Sequence, residues 1–411
     1  MPRRIAVLLT ALFLGLAAAA LILIFPAGAA VKDVTKAVSL LGRPFTTPPY
    51  ARNVWDMQLF NGKIYLGHGD SVSNAGPIPV VFYDPESNKF VREFTVDEEQ
   101  IHRYRIVDGQ LVIPGHDARE SWDYGNFYRL ENKRWKKYRT LPDAVHVFDL
   151  TSYNGRLYAA VTSQAPGRSG VVMSSGDKGL TWRPELPANR PFYTMGDTAY
   201  GLFACGGKLY GEGLLLNETY YGQLKYNNLL VMTDAGAMTQ NVSGRQLFPK
   251  SKDYWYLLYQ TAEFNNRLVY LGVRGIQNGI QWSPEGLYSA AGLGKQVQAI
   301  SLGDGGWLPS DLLVRGNRLY VLAYRKDTGG QYTNAVFQSS DSLHYRELFR
   351  FTARTFARSF EMLNGDFYFG LGCEARQVDD ATGDILKVPG SAYTEPAKTD
   401  KQPAPNSKSR V

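Results

Sequence analysis

The sequence predicts an all-β protein, a β-propeller of seven four-stranded blades, and three observations predict it. A turn motif, Asn-Gly or a close variant followed by an apolar and aromatic run, recurs seven times. Its copies are spaced 46 to 59 residues apart, measured between Gly62, Gly109, Gly155, Gly207, Asn266, Asn317 and Gly365. That period, with strand-like units, belongs to a propeller or solenoid. The composition is that of a turn-rich sheet protein, with 41 Gly and 26 Tyr in 411 residues.

The chain opens with Pro2-Arg3-Arg4 and an apolar run from Ile5 to Phe25, followed by Ala27-Gly28-Ala29. Small residues there satisfy signal peptidase, so residues 1–30 read as a signal peptide cut near Ala29 or Ala30, or as a signal anchor just long enough to span a bilayer. Either way the basic end stays cytoplasmic and the rest is exported, to the periplasm or outside the cell. No Cys stands at the junction to carry a lipid. Residues 31–50, with Pro44, Pro48 and Pro49, read as a linker or a closing strand.

Residues 51–389 form the propeller. In the first repeat Val54–Phe60 leads into Asn61-Gly62 and Lys63–Leu66 leads out. Asn-Gly accepts the positive φ angles of a two-residue hairpin turn whose twist suits its flanking strands. Later copies turn at Asp108-Gly109, Asn154-Gly155, Gly206-Gly207, Asn265-Asn266, Gly316-Asn317 and Asn364-Gly365. A third strand follows within each of the first six periods (Val80–Tyr83 in the first), then a polar turn and a fourth strand such as Lys89–Phe94. The seventh blade is expected to fill from its C-terminal side, with Ala375–Val378 and Ile385–Val388. From Gly390 large apolar residues nearly vanish, so 390–411 reads as a disordered tail.

The net charge of +7 is modest, and Lys and Arg are dispersed except near Lys133-Arg134 and Lys136-Lys137. This is no nucleic-acid footprint. Cys205 and Cys373 lie in blades that are not neighbours, which predicts two buried thiols rather than a disulfide. Cysteine spacing gives no metal site, and no motif names a cofactor. Asn217-Glu218-Thr219 and Asn241-Val242-Ser243 fit the N-glycosylation pattern, relevant only in a eukaryotic secretory route.

Between the third and fourth strands of the third repeat stands Ser175-Gly176-Asp177-Lys178-Gly179-Leu180-Thr181-Trp182. It matches Ser-x-Asp-x-Gly-x-Thr-Trp at every fixed position. The side chains of Ser175 and Asp177 accept backbone hydrogen bonds across such a tight turn, Gly179 permits positive φ, and Trp182 packs beneath. Ser339-Ser340-Asp341-Ser342-Leu343-His344-Tyr345 reads as a degraded copy with Leu343 in the glycine position, and Thr233–Gly236 as a fainter one. The chain thereby resembles the sialidase-like, Asp-box (BNR-repeat) β-propeller superfamily. The resemblance covers the repeats and one full motif. It implies a structural role for the box on the face away from any active site. It also implies one of two functions: a binding scaffold, or a glycoside hydrolase or lyase of sialidase-like type. Of the arginine motif of sialidases, Tyr104-Arg105-Ile106-Val107 is the nearest match and lacks the proline.

A propeller binds on the face built from loops entering the innermost strands and loops after the second strands. There the sequence puts His68, Asp70, His116 and Asp117, with His102 and His146 near the starts of innermost strands. Five residues before each turn come Asp56, Arg103, Asp149, Gly201, Gln260, Asp311 and Ser359, none large and apolar, expected to ring the channel mouth. The candidate ligand-binding residues are His68, Asp70, His102, Arg103, Arg105, His116, Asp117, His146, Asp149 and Asp56. Imidazole and carboxylate converging there bind a sugar or a metal, or move protons. The alternative is that they cap strands and bond backbone amides. Trp122, Tyr124, Tyr220 and Tyr221 near that face are suited to stacking on sugar rings. The expected partner is a glycan or protein ligand.

Overall fold

The computed structural model describes residues 31–166, 169–187, 198–214, 226–233, 236–249, 256–276, 281–374 and 377–394. They build seven separate four-stranded antiparallel sheets. From the axis outward, blade 1 comprises Asp56–Phe60, Lys63–Gly67, Ile78–Asp84 and Lys89–Val96. Blade 2 comprises Arg105–Val107, Gln110–Pro114, Tyr124–Glu131 and Arg134–Pro142. Blade 3 comprises Ala144–Tyr153, Arg156–Ser163, Gly170–Ser175 and Arg183–Pro184. Blade 4 comprises Thr198–Cys205, Lys208–Leu214, Tyr226–Thr233 and Gly236–Ser243. Blade 5 comprises Tyr256–Phe264, Arg267–Ile276, Gln281–Ala290 and Val297–Ile300. Blade 6 comprises Leu308–Arg315, Arg318–Lys326, Tyr332–Ser339 and Arg346–Ala353.

In blade 7 the closing-strand reading of residues 31–50 holds and the filling from the C-terminal side alone does not. Ala357–Leu363, Asp366–Leu371 and Ile385–Val388 are its first three strands, and its outer strand is Ser39–Gly42 from the other end of the chain. Ser39 pairs with Lys387 and Leu40 with Leu386. Of the segment expected to supply a strand there, Gln377 and Val378 are coil, and Ala375 and Arg376 lie outside the described residues. A closure that joins the two ends of the chain hides the edges an open ring would expose. Gly390–Tyr393 adds a helical turn whose Tyr393 ring lies 4.9 Å from Phe349 and 5.5 Å from Phe367, so order extends past Gly390.

All seven turns close two-residue hairpins, as Phe60 opposite Lys63 and Leu363 opposite Asp366 illustrate. Asn61 and Gly62 take φ of 50° and 76° there. The core lies between blades. Tyr65, Tyr104, Tyr128 and Trp135 fill the gap between blades 1 and 2, and Phe349, Phe360, Phe367 and Phe369 that between blades 6 and 7. Each such ring contributes roughly 2 to 3 kcal/mol by burial. Cys205 and Cys373 are free and buried.

Ser175–Trp182 sits at the hairpin-turn end of blade 3. Asp177 accepts from the Thr181 amide at 2.9 Å and the Thr181 hydroxyl at 2.6 Å. Ser175 Oγ accepts from the Gly179 amide at 2.8 Å, and Trp182 Nε1 donates to the Gly179 carbonyl at 3.1 Å. The blade 6 copy is one residue shorter than the sequence alignment assumed. Ser342, with φ of 67°, occupies the glycine's place, and its amide donates to Ser339 Oγ at 2.9 Å. His344 then stands where Thr181 does, 2.6 Å from Asp341. Residues 1–30 and Asn217–Tyr221 lie outside the described residues, while Asn241 stands in the outer strand of blade 4. Among the described residues no helix is long and apolar enough to cross a membrane.

Candidate functional site

The opposite end of the ring is organised by the segment Asp97–Tyr104, which enters blade 2. It runs between the two loops that follow the second strands of blades 1 and 2. On one side the Ile101 amide donates to His68 O at 2.8 Å and the Asp70 amide to Glu99 O at 3.0 Å. On the other the Glu99 amide donates to Asp117 O and the Arg119 amide to Asp97 O, both at 3.0 Å. Gly69 is required at this crossing, because a Cβ there would lie 2.5 Å from the Glu99 carbonyl oxygen. The segment delivers Gln100, His102 and Arg103 to the axis.

In five blades a β-bulge marks one residue near the start of the innermost strand. The innermost strands of blades 3, 4, 5, 6 and 7 all slip register beside Phe148, Tyr200, Tyr259, Ser310 and Arg358. Bulges bend a strand and redirect side chains. Trp55 and His102 hold the same place in blades 1 and 2, one residue before Asp56 and Arg103. His102 has ring centroids 5.9 Å from Trp55, 6.1 Å from Tyr200 and 6.0 Å from Tyr259. Rings from blades 1, 2, 4 and 5 therefore meet on the axis. Arg358 lies 4.4 Å over the Trp55 ring.

The histidines extend this cluster outward. His102 stacks on His116 at 5.1 Å, and His116 lies 6.3 Å from His146. His146 Nδ1 is 2.9 Å from the His116 carbonyl oxygen, so it carries the ring hydrogen and leaves the lone pair on Nε2. Its side chain is 29% exposed, which makes it the imidazole of the three that solvent reaches most. Burial pushes His116 down to about 3, with His146 and Arg103 adding to the shift. Burial also lowers His146, and lowers His102 well below the ordinary value, helped by His116 and Arg103. All three are neutral at physiological pH. Burial likewise raises Tyr200 and Tyr259, keeping both phenols protonated. Asp117, 3.4 Å from His146, is pushed up to about 6 by burial.

Arg103 and Arg105 flank the cluster and share Asp149. Arg103 Nη1 lies 2.9 Å from Asp149 Oδ2, and Arg105 makes a bidentate pair with the same carboxylate at 2.7 Å. Asp149 is fully buried. Burial alone would raise it, but the guanidiniums of Arg105 and Arg103 outweigh burial and hold it below the ordinary value.

Of the positions expected to ring the mouth, Asp56, Asp149, Asp311 and Ser359 bond the neighbouring blade instead. Asp56 accepts from the Tyr104 amide at 2.6 Å, Asp149 from the Leu202 amide at 3.0 Å, and Asp311 from the Phe360 amide at 3.1 Å. Ser359 Oγ donates to the Val54 carbonyl at 2.9 Å. Of the sequence-derived candidates, then, His102, Arg103, Arg105, His116, Asp117, His146 and Asp149 lie together, with Asp56 beneath them as a strap. His68 lies apart, fully buried, stacked 4.0 Å from Phe45 with Nε2 3.0 Å from the Pro79 carbonyl. Asp70 shapes its own loop, accepting from the Val72 amide at 3.1 Å. Trp55, Gln100, Phe148, Tyr200, Tyr259 and Arg358 were missed. Except for Gln100, their signal was available: the residue before each polar ring position is aromatic or basic in six of seven blades. Among the described residues no group of His, Cys, Asp and Glu is placed to hold a metal ion.

No family model and no curated protein matches this chain. Among solved structures, the polysaccharide lyase Uly1 aligns over 83% of this chain and 91% of its own, at 11% identity and a TM-score of 0.48. The tricorn protease aligns over 78% of this chain and 33% of its own, at 11% identity and a TM-score of 0.41. Similarity at that level has no bearing on function.

Proposed function

We propose that the histidine end of the channel binds an acidic glycan and cleaves it by β-elimination. One observation carries this: three imidazoles and the Tyr200 phenol are packed together beside three guanidiniums. Elimination next to a sugar carboxylate needs those parts. A cation holds the carboxylate and stabilises the charge that develops on it; a neutral base removes the proton on the adjacent carbon; an acid protonates the departing oxygen. His146, with its Nε2 lone pair and partial exposure, suits the base. Tyr200 suits the acid; Arg103 and Arg105, two guanidiniums on the single Asp149 carboxylate, keep one net positive charge, and Arg358 adds another. Hydrolysis by the usual glycosidase route needs two carboxyl groups flanking the bond. Here Asp117 stands in the cluster beside His146, but Asp149 is taken up by Arg103, Arg105 and a backbone amide, and Asp56 and Asp311 by backbone amides, so Asp117 lacks a second carboxyl among these. We also read the Ser175–Trp182 turn as an Asp-box, which favours the sialidase-like superfamily, and residues 1–30 as the signal that exports the chain.

A second reading, a glycan-binding module without turnover, is favoured by Trp122 and Tyr124. Their side chains are exposed at the outer rim beyond Asp117, with Arg139 5.7 Å over the Tyr124 ring. The two readings separate on variants. On acidic polysaccharides, His146→Ala and Tyr200→Phe should each lower turnover by about 10²- to 10⁴-fold with little loss of binding. Trp122→Ala should weaken binding. A wild type that binds acidic polysaccharides without cutting them, and loses that binding in Trp122→Ala, would favour the module.

A further inference from the structure

We propose that Gln100 is a positioning residue that sets the tautomer of His102 and so makes Tyr200 a proton donor. Three contacts in series carry it. The Ser71 amide donates to Gln100 Oε1 at 3.3 Å, which fixes the carbonyl end of that side chain. The amide nitrogen, Nε2, therefore faces His102 Nδ1, 3.0 Å away. An amide NH₂ group only donates, so Nδ1 must accept. A neutral imidazole then carries its hydrogen on Nε2, and that nitrogen lies 3.1 Å from the Tyr200 hydroxyl oxygen. The ring donates, the phenol oxygen accepts, and the phenol's own hydrogen is turned away from His102. Gln100 is well placed to enforce this. It is 5% exposed and its backbone bridges to Gly69, with the neighbouring Ile101 amide bonded to His68 O.

The catalytic consequence rests on the elimination reading; the tautomer does not. In the elimination His146 takes the proton from the carbon beside the carboxylate. The bond from the next carbon to the glycosidic oxygen breaks, a carbon–carbon double bond forms, and Tyr200 gives its proton to the departing oxygen. The phenolate left behind receives the His102 Nε2–H hydrogen bond. Solvent then returns a proton to Tyr200 and removes one from His146. With the opposite tautomer His102 would offer a lone pair to the phenol, hold its hydrogen, and leave the phenolate unsupported.

The test is nuclear magnetic resonance of the full chain with ¹⁵N-labelled histidine, paired with turnover of Gln100→Glu. The variant keeps the side-chain shape and the acceptor for Ser71, but presents an acceptor to His102. Expected in the wild type is an unprotonated Nδ1 and a protonated Nε2 on His102. Expected in the variant is a hydrogen moved to Nδ1 and turnover lower by at least about 100-fold. A wild-type His102 protonated on Nδ1 overturns the proposal without recourse to any variant. So does a Gln100→Glu protein with a switched ring and undiminished turnover. The expected wild-type spectrum, in a protein that cleaves no acidic polysaccharide, would support the tautomer assignment and sink the elimination reading instead.

Discussion

His68 and His116 occupy matching loops in blades 1 and 2, yet they are different chemical groups. His116 stacks between His102 and His146, whereas His68 is sealed against Phe45. Burial pushes His68 down to about 4, with hydrogen bonds to backbone carbonyls opposing it. An unfolded histidine titrates near ~6.5. Between those values the unfolded chain binds more protons than the folded one. The stability contributed by His68 is thus complete above pH ~6.5 and is lost as pH falls toward 4, a loss of about 3 kcal/mol for a shift of this size. His68→Leu should flatten the fall in denaturation midpoint between neutral and acid pH; an unchanged slope would contradict this account. The loop histidines were legible in the sequence because each follows a glycine at the end of the second strand of its blade, Gly67-His68 and Gly115-His116. That His68 would part company with the other three was not, since its partner Phe45 precedes the repeats and carries no periodic signal. Tyr200 was illegible as the partner of His102 for a related reason: the two meet only when the ring closes.

In five of the innermost strands a bulge separates two jobs. In blade 3, Phe148 at the slip packs against His116 and Tyr200, and Asp149, the next residue, bonds the Leu202 amide of the following blade. This explains why a polar position could be located correctly and its direction misjudged. A regular strand alternates faces with a period of two, and one extra residue shifts the pattern by a place. The straps are not equivalent, although Asp149 and Asp311 hold the same position in blades 3 and 6. Asp149 is held below the ordinary carboxylate range by Arg105 and Arg103 against the opposing effect of burial. Asp311 is raised well above that range by burial and by Asp56. Asp149→Asn leaves the buried Arg103 and the half-buried Arg105 short of their counter-charge and should cost about 3 kcal/mol. Asp311→Asn removes no ion-pair partner among the described residues, since Asp311 bonds the Leu312 and Phe360 amides, and should cost about 1 to 2 kcal/mol, for imperfect hydrogen bonding. Chemical denaturation of both variants checks the order. Equal losses would mean that the guanidiniums find other partners.

At the scale of the molecule, seven hairpins place every innermost-strand entry at one end and every hairpin turn at the other. The Asn-Gly turns made this legible, because few residue pairs tolerate two successive positive φ angles. The closing strand Ser39–Gly42 was less legible, since it is short, half exposed and unlike any repeat. Ring closure is what converts dispersed residues into a site. Trp55, His102, Tyr200 and Tyr259 come from four blades and touch only because the chain returns on itself. The Ser175–Trp182 turn, at the far end, is left to brace blade 3 against blade 2, where Thr140 donates to the Gly179 carbonyl at 2.6 Å. The most direct measurement is product analysis after incubating the protein with a panel of acidic polysaccharides. Elimination predicts rising ultraviolet absorbance from a conjugated carboxylate, and new chain ends lighter by one water than hydrolysis would leave. Products that have gained water, or a panel left uncut, would contradict it.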